Sequence, residues 1–258
     1  MLVDSHIHLT DDEYMKYLDN IITSLKKLNI IACSVTVNID TIQKSLELFS
    51  GNNKNVVQFI GIHPQFAKPE IIEKFELLFC KNIEKIEGIG EIGLDPTYVE
   101  LHYNTYEEQK TIFRYMLEIA EKNRKPVSIH SRRSLDDILD ILSCYNLDSV
   151  ILHWFSGSKK QLQRVMDMEI FVSFGPSLLY AQDKKTLLLK SDINKILVET
   201  DGPVRYPRCF NYHPSSSISC LYSIANCIRE TINISFDETC RILKRNSEKS
   251  LKKKLIFE

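Results

Sequence analysis

The chain has 258 residues, of which 43% are hydrophobic, a length and composition that suit one domain with a large core and exclude a disordered chain. Its 33 Lys and Arg residues nearly balance 34 Asp and Glu residues, so the formal net charge is −1. This balance excludes a global positive field for nucleic-acid binding, and any basic surface must be local.

Cysteine usage and hydropathy indicate the compartment. Seven cysteines are spread along the chain without a CxxC pair, which predicts free thiols in a reducing compartment. No apolar run approaches the roughly 20 residues that span a bilayer. The first residues, MLVDSHIHLTDDE, lack the basic and long apolar regions of a secretion signal. We therefore expect a soluble, cytoplasmic protein without membrane binding, and no stable protein partner can be inferred from the sequence.

Short runs rich in β-branched residues alternate with longer segments of helical periodicity, which is typical of stacked βα units. The predicted strands, in chain order, are Leu2–His8, Ile30–Val37, Val56–His63, Ile86–Gly93, Pro126–His130, Ser149–His153, Ile170–Gly175 and Lys195–Thr200. The predicted helices lie near Glu13–Lys27, Ile39–Phe49, Glu70–Phe79, Tyr106–Asn123, Leu135–Tyr145, Lys159–Met168, Ala181–Leu189, Ile218–Glu230 and Phe236–Lys254.

Eight strands that are each followed by a helix, with an extra C-terminal helix, favour an α/β fold of the closed (β/α)8 TIM barrel type. We expect this barrel to form a single domain over residues 1–258. An open doubly wound sheet fits the count less well. No glycine-rich GxGxxG turn follows the first strand, which weakens the dinucleotide-binding alternative.

Six side chains that could bind metal fall at or just after the C-terminal ends of predicted strands, where barrel active sites lie. They are His6, His8, Glu91, His130, His153 and Asp201. One histidine at a strand end is most often structural, but six such residues at five strand ends indicate a metal site. Four imidazoles and two carboxylates suit Zn, Mn, Fe or Co better than an all-oxygen site, although Mg could bind through its availability.

The number of candidate ligands indicates two metals rather than one. A single catalytic metal usually takes three protein ligands, whereas six ligands with a bridging carboxylate can hold two divalent cations about 3.5–4 Å apart. We assign Glu91 as the bridge because its strand lies between those of the other ligands. Asp201 could both bind a metal and orient the attacking water or accept its proton. Glu91 and Asp201 are therefore the candidate catalytic residues.

Six motifs resemble those of the TatD family, amidohydrolase-like barrels that are metal-dependent hydrolases with deoxyribonuclease activity. The motifs are DSHIHL at the start, GIHP at Gly61–Pro64, GEIGLD at Gly90–Asp95, PVSIHSR at Pro126–Arg132, HWFSGS at His153–Ser158 and ETDGP at Glu199–Pro203. The resemblance covers essentially the whole chain. It implies a first metal held by His6, His8, Glu91 and Asp201, and a second held by Glu91, His130 and His153.

The resemblance also concerns the rim of the barrel. It implies that His63 of GIHP contacts the substrate phosphate, the alternative being a structural histidine that fixes the turn before Pro64. Two segments depart from the family pattern. Pro96 and Thr97 precede Tyr98, where many members have an aromatic residue directly after GLD, and an unusual Gly-Pro-Val-Arg sequence follows ETD at residues 202–205. These departures spare the predicted ligands and change the rim, where substrate preference is decided.

Basic and aromatic residues lie on the same predicted loops as the ligands. They are Arg132 and Arg133 after the fifth strand, Lys159 and Lys160 after the sixth, and Arg205, Tyr206, Arg208, Phe210 and Tyr212 after the eighth. Arginine suits bidentate phosphate contact, and exposed aromatic rings can stack on single-stranded bases. We expect substrate binding by His63, Arg132, Arg205 and Tyr206. The alternative is that Arg132 and Arg133 pair with acidic neighbours such as Asp136 and Asp137 and that the aromatic rings pack within the loop.

The leading hypothesis is a deoxyribonuclease that cleaves phosphodiester bonds of DNA, preferentially single-stranded, with a water activated by two metals (Zn, Mn, Mg or Co). An alternative is hydrolysis of an amide, an ester or a small phosphoester, since the same metals polarise a carbonyl group. Many amidohydrolases bridge their metals with a carbamylated lysine, and Glu91 at that position disfavours this alternative. A non-catalytic binding protein is a third alternative, but it would be expected to lack some of the six ligands.

Overall fold

In the computed structural model, which describes residues 1–49, 54–206 and 218–255, eight parallel strands form one sheet in strict chain order. The strands are β1 Leu2–Ile7, β2 Ile30–Ser34, β3 Val56–Ile60, β4 Gly88–Leu94, β5 Val127–Ser131, β6 Val150–Leu152, β7 Phe171–Phe174 and β8 Ile196–Val198. Each pairs in parallel with the next strand in sequence. The predicted eight-stranded α/β barrel is confirmed.

The two ends of the sheet, β8 and β1, meet just beyond their last residues. The backbone N–H of Asp201 donates to the carbonyl of His6 (2.9 Å), and that of His8 donates to the carbonyl of Gly202 (2.8 Å). The buried Asp4 carboxylate accepts hydrogen bonds from the backbone N–H (2.9 Å) and the hydroxyl (2.6 Å) of Thr200. These contacts close the barrel and place residues that follow β1 and β8 side by side.

Helices surround the barrel. They are α1 Asp12–Met15, α2 Leu18–Lys27, α3 Ile39–Leu48, α4 Ile72–Asn82, α5 Pro96–Glu100, α6 Tyr106–Lys122, α7 Leu135–Leu142, α8 Lys159–Asp167, α9 Gln182–Lys190, α10 Cys220–Ile232 and α11 Phe236–Ser250. The extra C-terminal helix is therefore present. None of the helices in the described ranges is long and apolar enough to cross a membrane. That residues 1–258 form one domain stays a prediction.

Two helical predictions differ from the structure. The single helix expected near Glu13–Lys27 is divided into α1 and α2, which are separated at Lys16 and Tyr17. The short α5 was not predicted, because five residues are too few to show a helical period. It begins instead from a local signal, an Asp95 side chain that accepts a hydrogen bond from the Thr97 N–H (2.9 Å) and a proline at the first helical position.

The predicted strands also ran past the observed ends at the site. They were extended to His8, His63 and His153, whereas β1, β3 and β6 end at Ile7, Ile60 and Leu152. These histidines lie where the chain leaves the sheet, so their side chains are placed by the loops as well as by the strands. The strands themselves are almost entirely buried, and the apolar core lies around and inside the barrel.

Candidate metal centre

The six candidate ligands meet at the C-terminal end of the barrel, at the base of a groove of about 1030 Å³. Five of them line this groove, namely His8, Glu91, His130, His153 and Asp201. His6 is fully buried beneath it, with its ring stacked on that of His153 at a centroid distance of 3.8 Å. Parallel strands of a closed barrel deliver all their C-terminal ends to one rim, which explains why residues from five strands converge.

Glu91 on β4 lies at the centre of the cluster, and its two oxygens face different histidines. Oε2 lies 3.6 Å from His6 Nε2 and 3.5 Å from His8 Nε2. Oε1 lies 2.9 Å from His130 Nδ1 and 2.8 Å from His153 Nε2. One carboxylate therefore joins a pair of imidazoles from β1 to a pair from β5 and β6.

Asp201 adds a second carboxylate on the β1 side. Its Oδ1 lies 3.3 Å from His8 Nε2 and 3.7 Å from His6 Nε2. Three trios of ligand atoms have all their members within 4.8 Å of one another: His6, His153 and Asp201; His6, His8 and Glu91; and His63, Glu91 and His130. The described cluster thus offers more than one position with three converging donors.

The residues present fit divalent cations. His6 Nδ1 lies 3.0 Å from Ser128 Oγ, which orients the ring, while its buried Nε2 has no hydrogen-bond partner among the described residues. A buried polar nitrogen without a hydrogen-bond partner costs stability, and binding of a metal ion by His6 Nε2 would remove that cost. Neutral imidazoles with carboxylates are the donor set of transition-metal ions.

Electrostatics keep both carboxylates charged. Burial alone would raise the pKa of Glu91, but the facing imidazoles, that of His63 foremost, hold it well below its usual range. Burial opposes ionisation of Asp201 as well, yet its contact with His8 and the neighbouring rings lower its pKa. Two adjacent buried anions need compensating positive charge, which cations bound between them would provide.

Burial disfavours the protonated form of the His6 and His63 imidazoles. Burial lowers the pKa of His6 to about 4 and that of His63 to about 3. His63 Nδ1 accepts a hydrogen bond from the Gln65 N–H (3.2 Å), so this ring does fix the turn after β3. Its Nε2 faces the cluster at 3.7 Å from Glu91 Oε1. The geometry is therefore compatible with the structural role and with contact to a substrate at once.

Asp95 contacts a candidate ligand and is absent from the residues predicted for the site. Its Oδ2 lies 3.1 Å from His130 Nε2, on the opposite side of the ring from Glu91. Burial opposes charge on His130, but hydrogen bonds with Asp95 and Glu91 raise its pKa to about 9. The backbone N–H of Asp95 donates to the buried Gln109 Oε1 (2.8 Å), which fixes the carboxylate in turn. The available signal was its position at the end of GEIGLD, directly after β4 and beside β5.

Two further buried carboxyl groups, Asp4 and Glu199, were also missed. Glu199 accepts hydrogen bonds from the Trp154 N–H (2.6 Å) and the Ser173 hydroxyl, and burial raises its pKa to about 8. Burial raises the pKa of Asp4 to about 7. Each lies two residues before a candidate ligand, and each holds the backbone of a neighbouring strand end. They support the cluster without lying in it.

The predicted substrate-binding residues differ in how accessible they are from the groove. Arg132 is exposed and lines the groove. Arg205 also lines it, but its guanidinium pairs with Glu13 at 2.8 Å. The expectation of an exposed Tyr206 ring is wrong, because Tyr206 is 3% exposed and packs beside Trp154 at 5.3 Å. Arg208, Phe210 and Tyr212 lie outside the described residues.

The alternative prediction, that Arg132 and Arg133 pair with Asp136 and Asp137, is also wrong. Arg133 pairs with Glu100 (3.4 Å), not with Asp136 or Asp137. The Asp137 carboxylate instead accepts a hydrogen bond from the Tyr106 hydroxyl (2.7 Å). Arg132 makes no ion pair with any residue that the structure describes.

A parallel barrel with a histidine–carboxylate cluster at its C-terminal rim is the arrangement expected of a metal-dependent hydrolase. Comparison with known proteins agrees. A profile of the family described as TatD related DNase matches residues 3–252. This chain belongs to that family.

Individual relatives have low sequence identity to this chain, but the alignments cover nearly the full length of both proteins. An uncharacterized metal-dependent hydrolase of Methanocaldococcus jannaschii, MJ1582, is 26% identical over 250 residues, which cover 94% of this chain and 97% of the relative. The deoxyribonuclease TATDN3 of Homo sapiens is 26% identical over 269 residues, covering 96% and 93%. The crystal structure of YJJV, a TatD homolog from Escherichia coli, superposes with a TM-score of 0.83 at 19% identity, covering 96% and 97%, which shows a shared fold.

Proposed function

We propose that this protein is a deoxyribonuclease that hydrolyses phosphodiester bonds of DNA, preferentially single-stranded, at a centre of two divalent cations. The main support for the proposal is the position of the Glu91 carboxylate, whose two oxygens face two separate pairs of imidazoles. The first cation would be held by His6, His8, Glu91 and Asp201, and the second by Glu91, His130 and His153. The name of the human relative supports DNA as the substrate.

The residues of the site would have different roles in the reaction. Cations bound at this centre would lower the pKa of a water and neutralise charge on the phosphate. Asp201 is buried and ionised, and its carboxylate is the group placed to accept the proton of the attacking water. His63 accepts at Nδ1 and therefore carries its proton on Nε2, which faces the cluster and can donate to a phosphate oxygen.

The experiment compares wild type with Glu91→Gln, which keeps the size of the side chain and removes its charge. We expect about two metal equivalents per wild-type chain by elemental analysis and a loss of at least one in Glu91→Gln. Chelation should abolish hydrolysis of single-stranded DNA, and added metal should restore it. Glu84→Gln is the matched control, because Glu84 is exposed and lies on the same connection before β4.

A Glu91→Gln variant with full metal content and activity would refute the bridging role. To identify the substrate, hydrolysis of single-stranded DNA, RNA, an aryl phosphodiester and amide or ester compounds is compared with the metal-replete protein. Turnover of amides or esters without turnover of DNA would replace the proposed activity with that of an amidohydrolase. Metal binding without turnover of any of these compounds would remove the proposed activity altogether.

A further inference from the structure

The rim of the groove has two halves that differ in charge. Strand order places the loops after β8, β1 and β2 opposite those after β4, β5 and β6. We name the first the acidic half, which lines the groove with residues 11–13, 40, 44 and 205. The second is the tyrosine half, which lines it with residues 98, 131, 132, 154 and 156. The connection after β3, with His63, lies between them.

The acidic half repels a polyanion. Among the residues that the structure describes, its carboxylates are those of Asp11, Asp12, Glu13 and Asp40, and its cations are those of Lys44 and Arg205. Both cations are already engaged, since Lys44 Nζ lies 2.7 Å from Asp12 and Arg205 lies 2.8 Å from Glu13. A phosphate backbone entering here would meet excess negative charge and would have to displace two ion pairs.

The tyrosine half carries a cation without an ionic partner among the described residues. Arg132 is its cation, and within the described chain no carboxylate neutralises it. Arg133, the next residue, is held by Glu100 instead. An exposed guanidinium without an ionic partner is ready for bidentate contact with a phosphate.

Three aromatic rings run outward from the cluster beside this arginine. The His63 ring lies 5.3 Å from the ring of Tyr98, nearly perpendicular to it, and Tyr98 lies 5.8 Å from Tyr103 in the same manner. Tyr98 is partly exposed in the groove, and Tyr103 is 46% exposed beyond it. Partly exposed tyrosines beside an arginine are the combination that binds single-stranded nucleic acid by stacking.

The segment that carries these tyrosines is fixed before any substrate binds. The Tyr103 N–H donates to the Tyr98 carbonyl (3.0 Å), and Asp95 caps the intervening helix α5. The Asn104 side chain donates to the Pro64 carbonyl (2.5 Å), which ties the segment to the turn that holds His63. Binding therefore loses little conformational entropy in ordering this surface.

We infer that a single-stranded polynucleotide lies along the tyrosine half, with a phosphate on Arg132 and successive bases against Tyr98 and Tyr103. The acidic half excludes the strand. This inference rests on the proposed deoxyribonuclease function and adds the path of the substrate. It assigns a stacking surface to the β4–α6 connection, whereas the sequence alone had indicated one after β8, where the described Tyr206 is buried.

The test measures binding of a phosphorothioate oligodeoxynucleotide to the metal-replete protein by fluorescence anisotropy. Tyr98→Ala should raise Kd by a factor of about 5 to about 100, and Tyr98→Phe should restore most of the affinity. Tyr103→Ala should weaken longer oligonucleotides more than dinucleotides. Arg132→Gln should reduce the slope of log K against log salt by about 0.7, the value for one phosphate of a single strand.

Two matched variants serve as controls. Lys44→Gln removes a groove-lining cation from the acidic half, and Tyr180→Ala removes a tyrosine of comparable exposure, 40%, outside the groove. Both should bind as wild type does. Weaker binding in Lys44→Gln with unchanged binding in Tyr98→Ala would overturn the inference and leave the proposed function intact. Failure of the wild type to bind DNA, with retained hydrolysis of an aryl phosphodiester, would overturn both the inference and DNA as substrate.

Discussion

Replacing Asp95 with asparagine should weaken one metal position and spare the other. Asp95 Oδ2 contacts His130 Nε2 at 3.1 Å, while the other ring nitrogen of His130 faces Glu91 at 2.9 Å. In Asp95→Asn, the amide oxygen can still accept a hydrogen bond from the Thr97 N–H, but the NH₂ group cannot accept one from His130 Nε2. The variant therefore removes the contact that orients the His130 imidazole and keeps the hydrogen bond that caps α5.

The magnitude follows from the role of such outer contacts. A carboxylate that holds a ligating histidine fixes its tautomer and raises its basicity, and its loss typically costs 10- to 100-fold in metal affinity. That corresponds to about 1.4–2.7 kcal/mol at the His130 position. The position of His6, His8 and Asp201 has no contact with Asp95 and should keep its affinity.

The assay is titration of metal-free protein with Zn²⁺ or Co²⁺ by calorimetry, supported by the visible spectrum of the Co²⁺ form. Wild type should show two binding steps, and Asp95→Asn should shift one of them. Thr97→Val is the control, because it removes the hydroxyl that contacts Asp95 Oδ1 and leaves the contact with His130. Two unshifted steps, or equal weakening of both, would refute the assignment of Asp95 as a positioning residue.

Two further predictions concern catalysis and packing. Because Asp201 is also a proposed ligand of the first cation, Asp201→Asn is assayed at saturating metal. It should then lower kcat by about 10²–10⁴-fold with little change in KM, as expected for loss of a proton acceptor, while the exposed Asp19→Asn should match wild type in steady-state kinetics. A parallel fall in substrate affinity would argue against that role. Gly93→Ala should lower Tm by roughly 6–12 °C, equivalent to about 3 kcal/mol, because Gly93 has φ +148° and a Cβ there would lie 2.0 Å from the His130 carbonyl. An unchanged melting temperature in calorimetry would show that β4 and β5 can separate.

Much of the architecture could be predicted because barrel formation follows from local patterns. The strands are short and almost entirely buried, several of them rich in Val and Ile, and a parallel sheet in chain order brings their C-terminal ends to one rim. The cluster around Glu91 follows from that order, since a ligand at the end of β4 must lie near those of β1, β5 and β6. What the residues alone could not give was the distribution of the ligands between two positions.

The rim could not be predicted to the same degree. Whether Tyr206 is exposed depends on the packing of the β8 connection against Trp154, which no periodicity records. Arg205 is engaged by Glu13, a residue 192 positions away in sequence that becomes its neighbour only when the barrel closes. Asp95 was visible in its motif, but its partner His130 lies 35 residues further along. In each case the missing information was a tertiary contact between loops.

The β4–α6 connection links metal binding to substrate binding in a way that the variants can separate. Asp95 both contacts His130 and caps the helix that carries Tyr98, and Gln109 holds the Asp95 carbonyl (3.0 Å) and the Asn104 side chain (2.9 Å). Removal of the Gln109 amide should therefore weaken metal at the His130 position and oligonucleotide binding together. Tyr98→Ala should weaken the oligonucleotide alone, because its ring lies outside the ligand cluster. If Gln109→Leu changes only stability, the connection is a passive scaffold and the two sites are independent.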